Sequence, residues 1–213
     1  MQAGSPLWLP LFPLHVVLLP GNNLPLHIFE DRYRQMIADV RRDRVEFGVV
    51  LASEDGIAGT GCTATIDRVL REYPDGRLDI FTVGRRRFEI TAINDELSYL
   101  RCVPQFFDDD VDIPFPPEAR AQLLDSYNAL SDVTSQPLLS PADLARTQVS
   151  FLLARTIEDL DFRQMLLAAR SEADRLRKLS EYLPAHLRRL QRIAEAKKAA
   201  PRNGHGGYLN GIH

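Results

Sequence analysis

Short apolar runs separated by turn residues fill the first half of the chain, and this spacing is typical of β structure. The runs predict strands at residues 8–14, 24–29, 46–52, 60–73, 77–83, 86–93 and 97–104. The clearest turn is Pro74-Asp75-Gly76, where proline presets a dihedral angle, aspartate can bond its own backbone and glycine tolerates positive φ. We therefore expect a hairpin between the flanking runs.

One segment inside this β-rich half changes its period. In residues 30–43 the apolar positions recur at spacings of three and four, while charged residues occupy the other faces. The apolar set is Tyr33, Met36, Ile37 and Val40. This pattern predicts an amphipathic helix that packs on the sheet.

The second half predicts helices in close succession. Its start signals are Ser140-Pro141 with Asp143, Asp161 with Gln164, and Ser171 with Asp174. Its last apolar stripe runs from Leu176 to Leu190, and we expect Pro184 to kink that helix or to start a new one. The predicted division is a β-rich domain at 1–107, a linker at 108–117, a helical subdomain at 118–200 and a flexible tail at 201–213.

Composition and charge favour an ordinary globular protein. Of the 213 residues, 45% are hydrophobic and 26% are charged, and the formal net charge is −3. No global positive charge draws the chain to nucleic acid. The Arg41-Arg42 and Arg85-Arg86-Arg87 clusters have no aromatic residues interleaved with them, so we expect solvated or ion-paired side chains there.

Cysteines and the N-terminal segment indicate a cytoplasmic protein. Cys62 and Cys102 lie far apart without neighbouring metal ligands, so two buried free thiols are expected. Prolines at positions 6, 10 and 13 interrupt the first apolar stretch, which also lacks a basic start. We expect neither a signal peptide nor a membrane span.

The enzymatic motifs in the sequence lack their required context. Residues 59–64 fit a dinucleotide fingerprint, yet the β-branched residues that follow predict a strand, whereas the fingerprint must open a helix. No lysine follows a glycine, which excludes a phosphate-binding loop. Lys178 and Ser180 point in different directions on a helix and cannot form a peptidase pair locally. The sequence therefore predicts no enzyme.

The acidic run at residues 108–112 is the one candidate for a metal site. Its clustered aspartates could hold a divalent cation, but the glycine and terminal glutamate of an EF-hand loop are missing. His205 and His213 are too sparse to argue for a second site. We expect a solvated linker and neither a metal nor a cofactor.

A family resemblance is carried by the opening of the chain. Residues 9–14, the Val16-to-Gly21 segment and residues 24–30 closely resemble the start of the Lon protease N-terminal domain. Gly59-Thr60-Gly61, which looks like the entrance to a strand, the hairpin at residues 74–76 and the Val83-to-Phe88 segment follow in the family's order. The resemblance covers about residues 7 to 185 and is most specific in the first ninety.

The resemblance implies an α+β fold, namely a PUA-like β pseudobarrel with an inserted amphipathic helix, followed by a C-terminal helical bundle. Family proteases continue into an ATPase and a serine-lysine peptidase, which this sequence lacks, so we expect a non-catalytic module that binds unfolded or damaged polypeptides. An oligomer is possible. The candidate peptide-binding residues are Phe29, Arg32, Tyr33, Phe81 and Arg85.

Two alternative functions remain open at the level of sequence. PUA-like barrels can bind RNA, and arginine dominates the basic residues, although the near-neutral charge argues against this partner. A small-molecule protein or enzyme could use a barrel pocket with His27, Glu30 or Asp31. No positioned acid, base and nucleophile supports that second alternative.

Overall fold

A computed structural model describes residues 7–110, 114–134 and 137–199. Six strands make up the first half: β1 (Leu9–Leu14), β2 (Asn23–Ile28), β3 (Phe47–Ser53), β4 (Gly56–Glu72), β5 (Leu78–Asn94) and β6 (Arg101–Phe107). The helices are α1 (Asp31–Asp43), α2 (Pro117–Asn128), α3 (Ser131–Thr134), α4 (Val149–Leu153), α5 (Leu160–Ala168) and α6 (Glu172–Ala199). The fold is α+β, as predicted.

The six strands form one sheet that closes on itself. Its order is β2-β5-β4-β3-β1-β6, and β5 also pairs with β6, so five strands form a ring and β2 lies outside it. β1 and β3 are parallel, and the other pairs are antiparallel. Ring closure leaves β2 as the strand whose second edge has no strand partner among the described residues.

Strand β5 corrects one detail of the sequence prediction. The runs 77–83 and 86–93 were expected as two strands, but they form one strand of 17 residues. The register moves from Ala64 paired with Gly84 to Cys62 paired with Arg87, so two β5 residues lie opposite one β4 residue. This β-bulge shifts the register of β5 against β4 without ending the strand.

The turn and the first helix form where the sequence predicts them. Gly76 has a φ of +85°, and Asp75 Oδ1 accepts a hydrogen bond from the Arg77 amide at 3.2 Å. In α1 the four predicted apolar residues are buried, and the left-handed Arg44 ends the helix by donating its amide to the Val40 carbonyl. Both predictions are confirmed.

The glycines of the apparent dinucleotide fingerprint lie inside β4. A Cβ at position 61 would stand 2.7 Å from the Val49 carbonyl oxygen and from a Val50 methyl group, so close strand packing requires glycine there. Strand β4 begins at Gly56. Gly59 and Gly61 therefore lie inside the strand and not at its start. No helix follows them, and the nucleotide interpretation has no structural support.

The helical half confirms one predicted cap and corrects two. Ser171 Oγ accepts the Asp174 amide at 2.9 Å at the start of α6, as predicted. The cap of α5 is Asp159, which accepts the Phe162 amide at 2.9 Å, and not Asp161. Ser140 bonds Asp143, but only the short 3₁₀ turn Asp143–Ala145 follows, and α6 continues through Pro184 without restarting.

A buried ion cluster corrects the expectation of a solvated linker at one residue, Asp109, while Asp108 and Asp110 are exposed as expected. Asp109 accepts hydrogen bonds from Arg87 and from Arg175 at 2.7 Å, and both guanidinium groups are almost fully buried. Glu172 and the Ser150 hydroxyl complete the surroundings of Arg175. The linker residue thus joins β5 to α6, since it bonds one arginine from each.

The domain division at 107 and 118 stays a prediction. The tail at 201–213, with His205 and His213, lies outside the described residues, as does Asp112 of the acidic run. Cys62 and Cys102 are buried free thiols, as predicted. Within the described ranges no helix is long and apolar enough to cross a membrane.

Candidate functional site

The unpaired edge of the sheet carries the most exposed aromatic group of the β-rich half. Phe29 directly follows β2 and is 59% exposed. Its ring stacks on His27 with 5.8 Å between centroids, and His27 meets the edge of Tyr73 at 5.9 Å. These three rings come from β2 and the β4–β5 turn, so they form one continuous surface.

The register of β2 and β5 adds two further residues to this surface. Pro25 pairs with Phe81, and His27 pairs with Asp79. Paired residues on antiparallel strands share a face, and Ile80 and Thr82, which point to the other face of β5, are buried. We call the set of Pro25, His27, Phe29, Tyr73 and Phe81 the β2 surface.

Hydrogen bonds hold the polar part of the β2 surface in place. Asp79 accepts from His27 Nδ1 at 2.6 Å and from the Tyr73 hydroxyl at 2.8 Å. These two hydrogen bonds lower the pKa of Asp79 below its ordinary value because they favour the carboxylate form. The two rings are thereby fixed relative to β5.

The five predicted binding residues separate into three groups. Phe29 belongs to the β2 surface, as does Phe81, and Arg85 lies farther along the same outward face of β5, where it donates to Thr65 Oγ1 at 2.9 Å. Arg32 is exposed on α1 and pairs with Glu30. Tyr33 is only 8% exposed, and its ring lies 4.1 Å from that of Phe12, so it packs in the core.

Arginines stack on aromatic rings more than the sequence suggested. Arg68 lies 4.2 Å above the ring of Phe81, while Arg71 and Arg77 lie 4.5 and 4.9 Å from that of Tyr73. Arg86 likewise covers Phe106 at 3.9 Å. The aromatic partners of Arg68 and Arg86 come from neighbouring strands, so a search for aromatics next to these two arginines in the sequence could not find them.

Four of the five arginines in the two clusters are ion-paired, as expected. Arg41 pairs with Glu72, Arg42 with Asp39 and Asp43, and Arg86 with Glu46. The arginine clusters therefore do not form a free cationic patch. Sequence reasoning also missed Tyr73, although its position beside the predicted turn was a usable signal.

The residues proposed for a small-molecule enzyme do not converge on one another. His27 binds Asp79, Glu30 binds Arg32, and Asp31 binds Arg34. Three different partners thus engage the three groups. In the part of the chain that the structure describes, no three histidine, cysteine or acidic side chains gather as a metal site would require.

Comparisons with known proteins identify similar domains. The family model for the ATP-dependent protease La (LON) substrate-binding domain matches residues 8–199. The Lon protease of Flavobacterium johnsoniae is 34% identical over 104 residues, which are 45% of this chain and 13% of that protein. The Lon protease of Parabacteroides distasonis is 33% identical over 101 residues, 43% of this chain and 12% of that protein. The matched segments are thus about an eighth of those relatives.

Solved structures agree with the family match. A Lon N-terminal domain protein from Xanthomonas campestris is 27% identical with a TM-score of 0.65, and the match covers 83% of this chain and 98% of that one. The N-terminal domain of the Mycobacterium avium complex Lon protease is 16% identical with a TM-score of 0.63, over 84% and 99%. The second match supports the fold alone.

Proposed function

The chain belongs to the family of LON substrate-binding domains, and from that premise we propose that it is a non-catalytic module that binds exposed apolar segments of unfolded or damaged polypeptides. We place the binding site on the β2 surface. The observation that carries this assignment is the exposed Phe29 beside a strand edge that has no strand partner within the described chain. Edge strands recruit extended peptides through main-chain hydrogen bonds.

The backbone of β2 supports this mode of binding. Thr82 Oγ1 donates to the Leu24 carbonyl at 2.7 Å, and Leu24 pairs with Thr82, so the Leu24 backbone faces β5. The backbone groups of Asn23, Pro25 and His27 then face the outer edge by alternation. Pro25 removes one donor from that edge, which limits indiscriminate strand pairing.

The side chains of the β2 surface supply apolar contacts for a client. Phe29 and Pro25 are exposed, and Phe81 and Tyr73 are half-buried beside them. Burial of a phenylalanine side chain contributes about 1.5–3 kcal/mol, so contact with Phe29 alone changes affinity by about tenfold or more. Apolar contacts and main-chain hydrogen bonds depend little on the amino-acid sequence of the client. Such a surface therefore suits a protein that binds varied clients.

The architecture fits the fold that the family resemblance implies. We propose that the ring of β5, β4, β3, β1 and β6 is the PUA-like pseudobarrel, and that α2 to α6 are the helical bundle. The closed strand pairing and the packing of α2 against α6 support this assignment. β2 is then an appendage of the barrel and is available to partners.

Single-stranded RNA is the second candidate ligand. The arginines stacked on Phe81 and Tyr73 favour it, because bases can stack on aromatic and guanidinium planes. Two of these arginines already pair with neighbouring acids, namely Arg68 with Asp67 and Arg77 with Asp75. That pairing reduces the attraction for phosphates, so we favour polypeptide.

The test is a fluorescence anisotropy titration with labelled, unfolded casein beside labelled single-stranded RNA at several salt concentrations. We expect casein to bind, and Phe29→Ser to weaken binding by about tenfold because one exposed apolar contact is lost. The matched control is Leu138→Ser, since Leu138 is 68% exposed and lies outside the β2 surface. RNA binding that falls steeply with salt, without casein binding, would contradict the proposal.

A further inference from the structure

A cleft at the start of β2 contains two arginines without acidic partners. Its volume is about 260 Å³, and its lining includes Val17, Asn23 and Leu24 together with Arg155 and Arg163. The two arginines come from the helical half, whereas the other lining residues come from the β-rich half. The cleft therefore lies where the helices meet the first residues of β2.

All contacts of the two guanidinium groups are to neutral acceptors. Arg163 donates to the carbonyl oxygens of Ile157 at 3.2 Å and Val17 at 2.8 Å. Arg155 donates to Asn22 Oδ1 and to the Gly21 carbonyl, both at 3.2 Å. Neither forms a salt bridge with any acidic side chain in the described parts of the chain. Each group thus brings an uncompensated positive charge to the cleft.

One donor in this cleft is buried without an acceptor. Arg163 Nε is inaccessible to solvent and has no hydrogen-bond partner among the described residues. Burial lowers the pKa of Arg163 below its ordinary value. An arginine remains charged at neutral pH even so, and a buried guanidinium without an anion is unfavourable. An oxyanion in the cleft would compensate the positive charge of the guanidinium groups.

The position of the cleft relative to β2 selects the kind of anion. A polypeptide that pairs antiparallel with the outer edge of β2 passes His27 first and Asn23 last. Its C-terminal end then reaches the residues that line the cleft, Asn23 and Leu24. An α-carboxylate matches the planar, forked donors of arginine.

We propose that the cleft binds the C-terminal carboxylate of a polypeptide extended along β2, with Arg155 and Arg163 as its ligands. This inference rests on the proposed function, because the same strand edge holds the rest of the client. The carboxylate site would give the protein a preference for clients with a free C-terminus, which an apolar groove alone would not have.

The experiment compares one fluorescent apolar peptide in two forms, with a free C-terminal acid and with a C-terminal amide. The wild-type protein should bind the free acid about tenfold more tightly, since one charge-assisted interaction is lost on amidation. Arg155→Gln should abolish that difference, and Arg163→Lys, which keeps the charge and is less disruptive than removal, should retain part of it. Circular dichroism spectra verify that each variant is folded.

The matched control is Arg146→Gln, which removes an equal charge from a nearby exposed arginine that already pairs with Asp143. It should keep the preference for the free acid. Equal affinity for acid and amide, both sensitive to Phe29→Ser, overturns the carboxylate site and leaves the proposed function intact. Binding of neither peptide overturns the proposed function, and this inference with it.

Inorganic phosphate distinguishes a chain end from a free anion. Phosphate should compete with the free-acid peptide and have no effect on the amide. If phosphate binds the wild type and not Arg155→Gln, while both peptide forms bind equally, the cleft takes a small free anion and the assignment to a polypeptide terminus is wrong.

Discussion

Backbone contacts at single residues determine how β5 meets the segment before β2. Gly84 donates its amide to the Asn22 carbonyl at 2.9 Å and accepts from the Gly21 amide at 2.9 Å. A Cβ at position 84 would lie 2.4 Å from the Leu19 carbonyl oxygen. No such distance is tolerated, so this crossing requires glycine. The glycine that carried part of the family resemblance thus has a steric reason.

Gly84→Ala should lower the free energy of unfolding by about 1–3 kcal/mol, because the backbone of residues 18–19 must move away. Urea denaturation followed by circular dichroism measures the change. The control is Gly59→Ala, where a Cβ would meet nothing within 4 Å, and which should be neutral or slightly stabilising. Equal stability of the two variants would contradict the steric account.

Among the secondary-structure elements, a side-chain hydrogen bond determines where helix α5 begins. Asp159 and Asp161 lie two residues apart at the start of α5, and the sequence pattern predicted the cap at Asp161. The structure selects Asp159, because its extended backbone lets Oδ1 reach the Phe162 amide. Asp161 is already inside the helix. Which of two nearby aspartates caps a helix depends on the local backbone conformation, and the sequence pattern alone does not give that conformation.

Asp159→Ala should destabilise the protein by about 1 kcal/mol through loss of the cap. Asp161→Ala should cost less, since only its favourable position in the first helical turn is lost. Thermal or urea unfolding of the two variants compares these effects directly. A larger loss for Asp161→Ala would show that the cap assigned from the structure is wrong.

Strands and helices could be predicted from periodicity, but their partners could not. The period of α1 and the turn at residues 74–76 are local, so the sequence located both. The β-bulge beside Arg85 escaped detection because alternation persists on each side of it. The pairing of β2 with β5 joins segments about fifty residues apart. Phe29 and Phe81 could therefore be chosen as candidates, but their common surface and its link to Tyr73 could not.

For the whole molecule, the cluster of Asp109, Arg87 and Arg175 is a buried polar connection between the two halves. Burial alone would raise the pKa of Asp109, but the hydrogen bonds and charges of Arg175 and Arg87 lower it below its ordinary value of 3.8. A lowered pKa means that folding favours the carboxylate. The stability it contributes is therefore present above pH 3.8 and is lost as the pH falls through the folded value.

Asp109→Asn should lower the free energy of unfolding by about 3 kcal/mol at pH 7, since two buried cations lose a charged partner. As the pH falls from 5 through 3.8 and below, the variant should lose less stability than the wild type, because only the wild type has this carboxylate to protonate. Urea titrations across this range measure both effects. The control is Asp110→Asn, an exposed neighbour whose substitution should leave the profile unchanged. A wild-type slope retained in Asp109→Asn would contradict the assignment.

The closed ring of strands also has a consequence for biosynthesis. β1 completes the ring by pairing Leu9 with Cys102, so its final partner is made long after β1 itself. At roughly 5–20 residues per second, the ribosome needs about 5–20 s to add the intervening chain. During that time the apolar residues Leu11 and Phe12 have no closed ring of strands to pack into. This chain is therefore expected to pass through a state during translation in which its own first strand is exposed to chaperones.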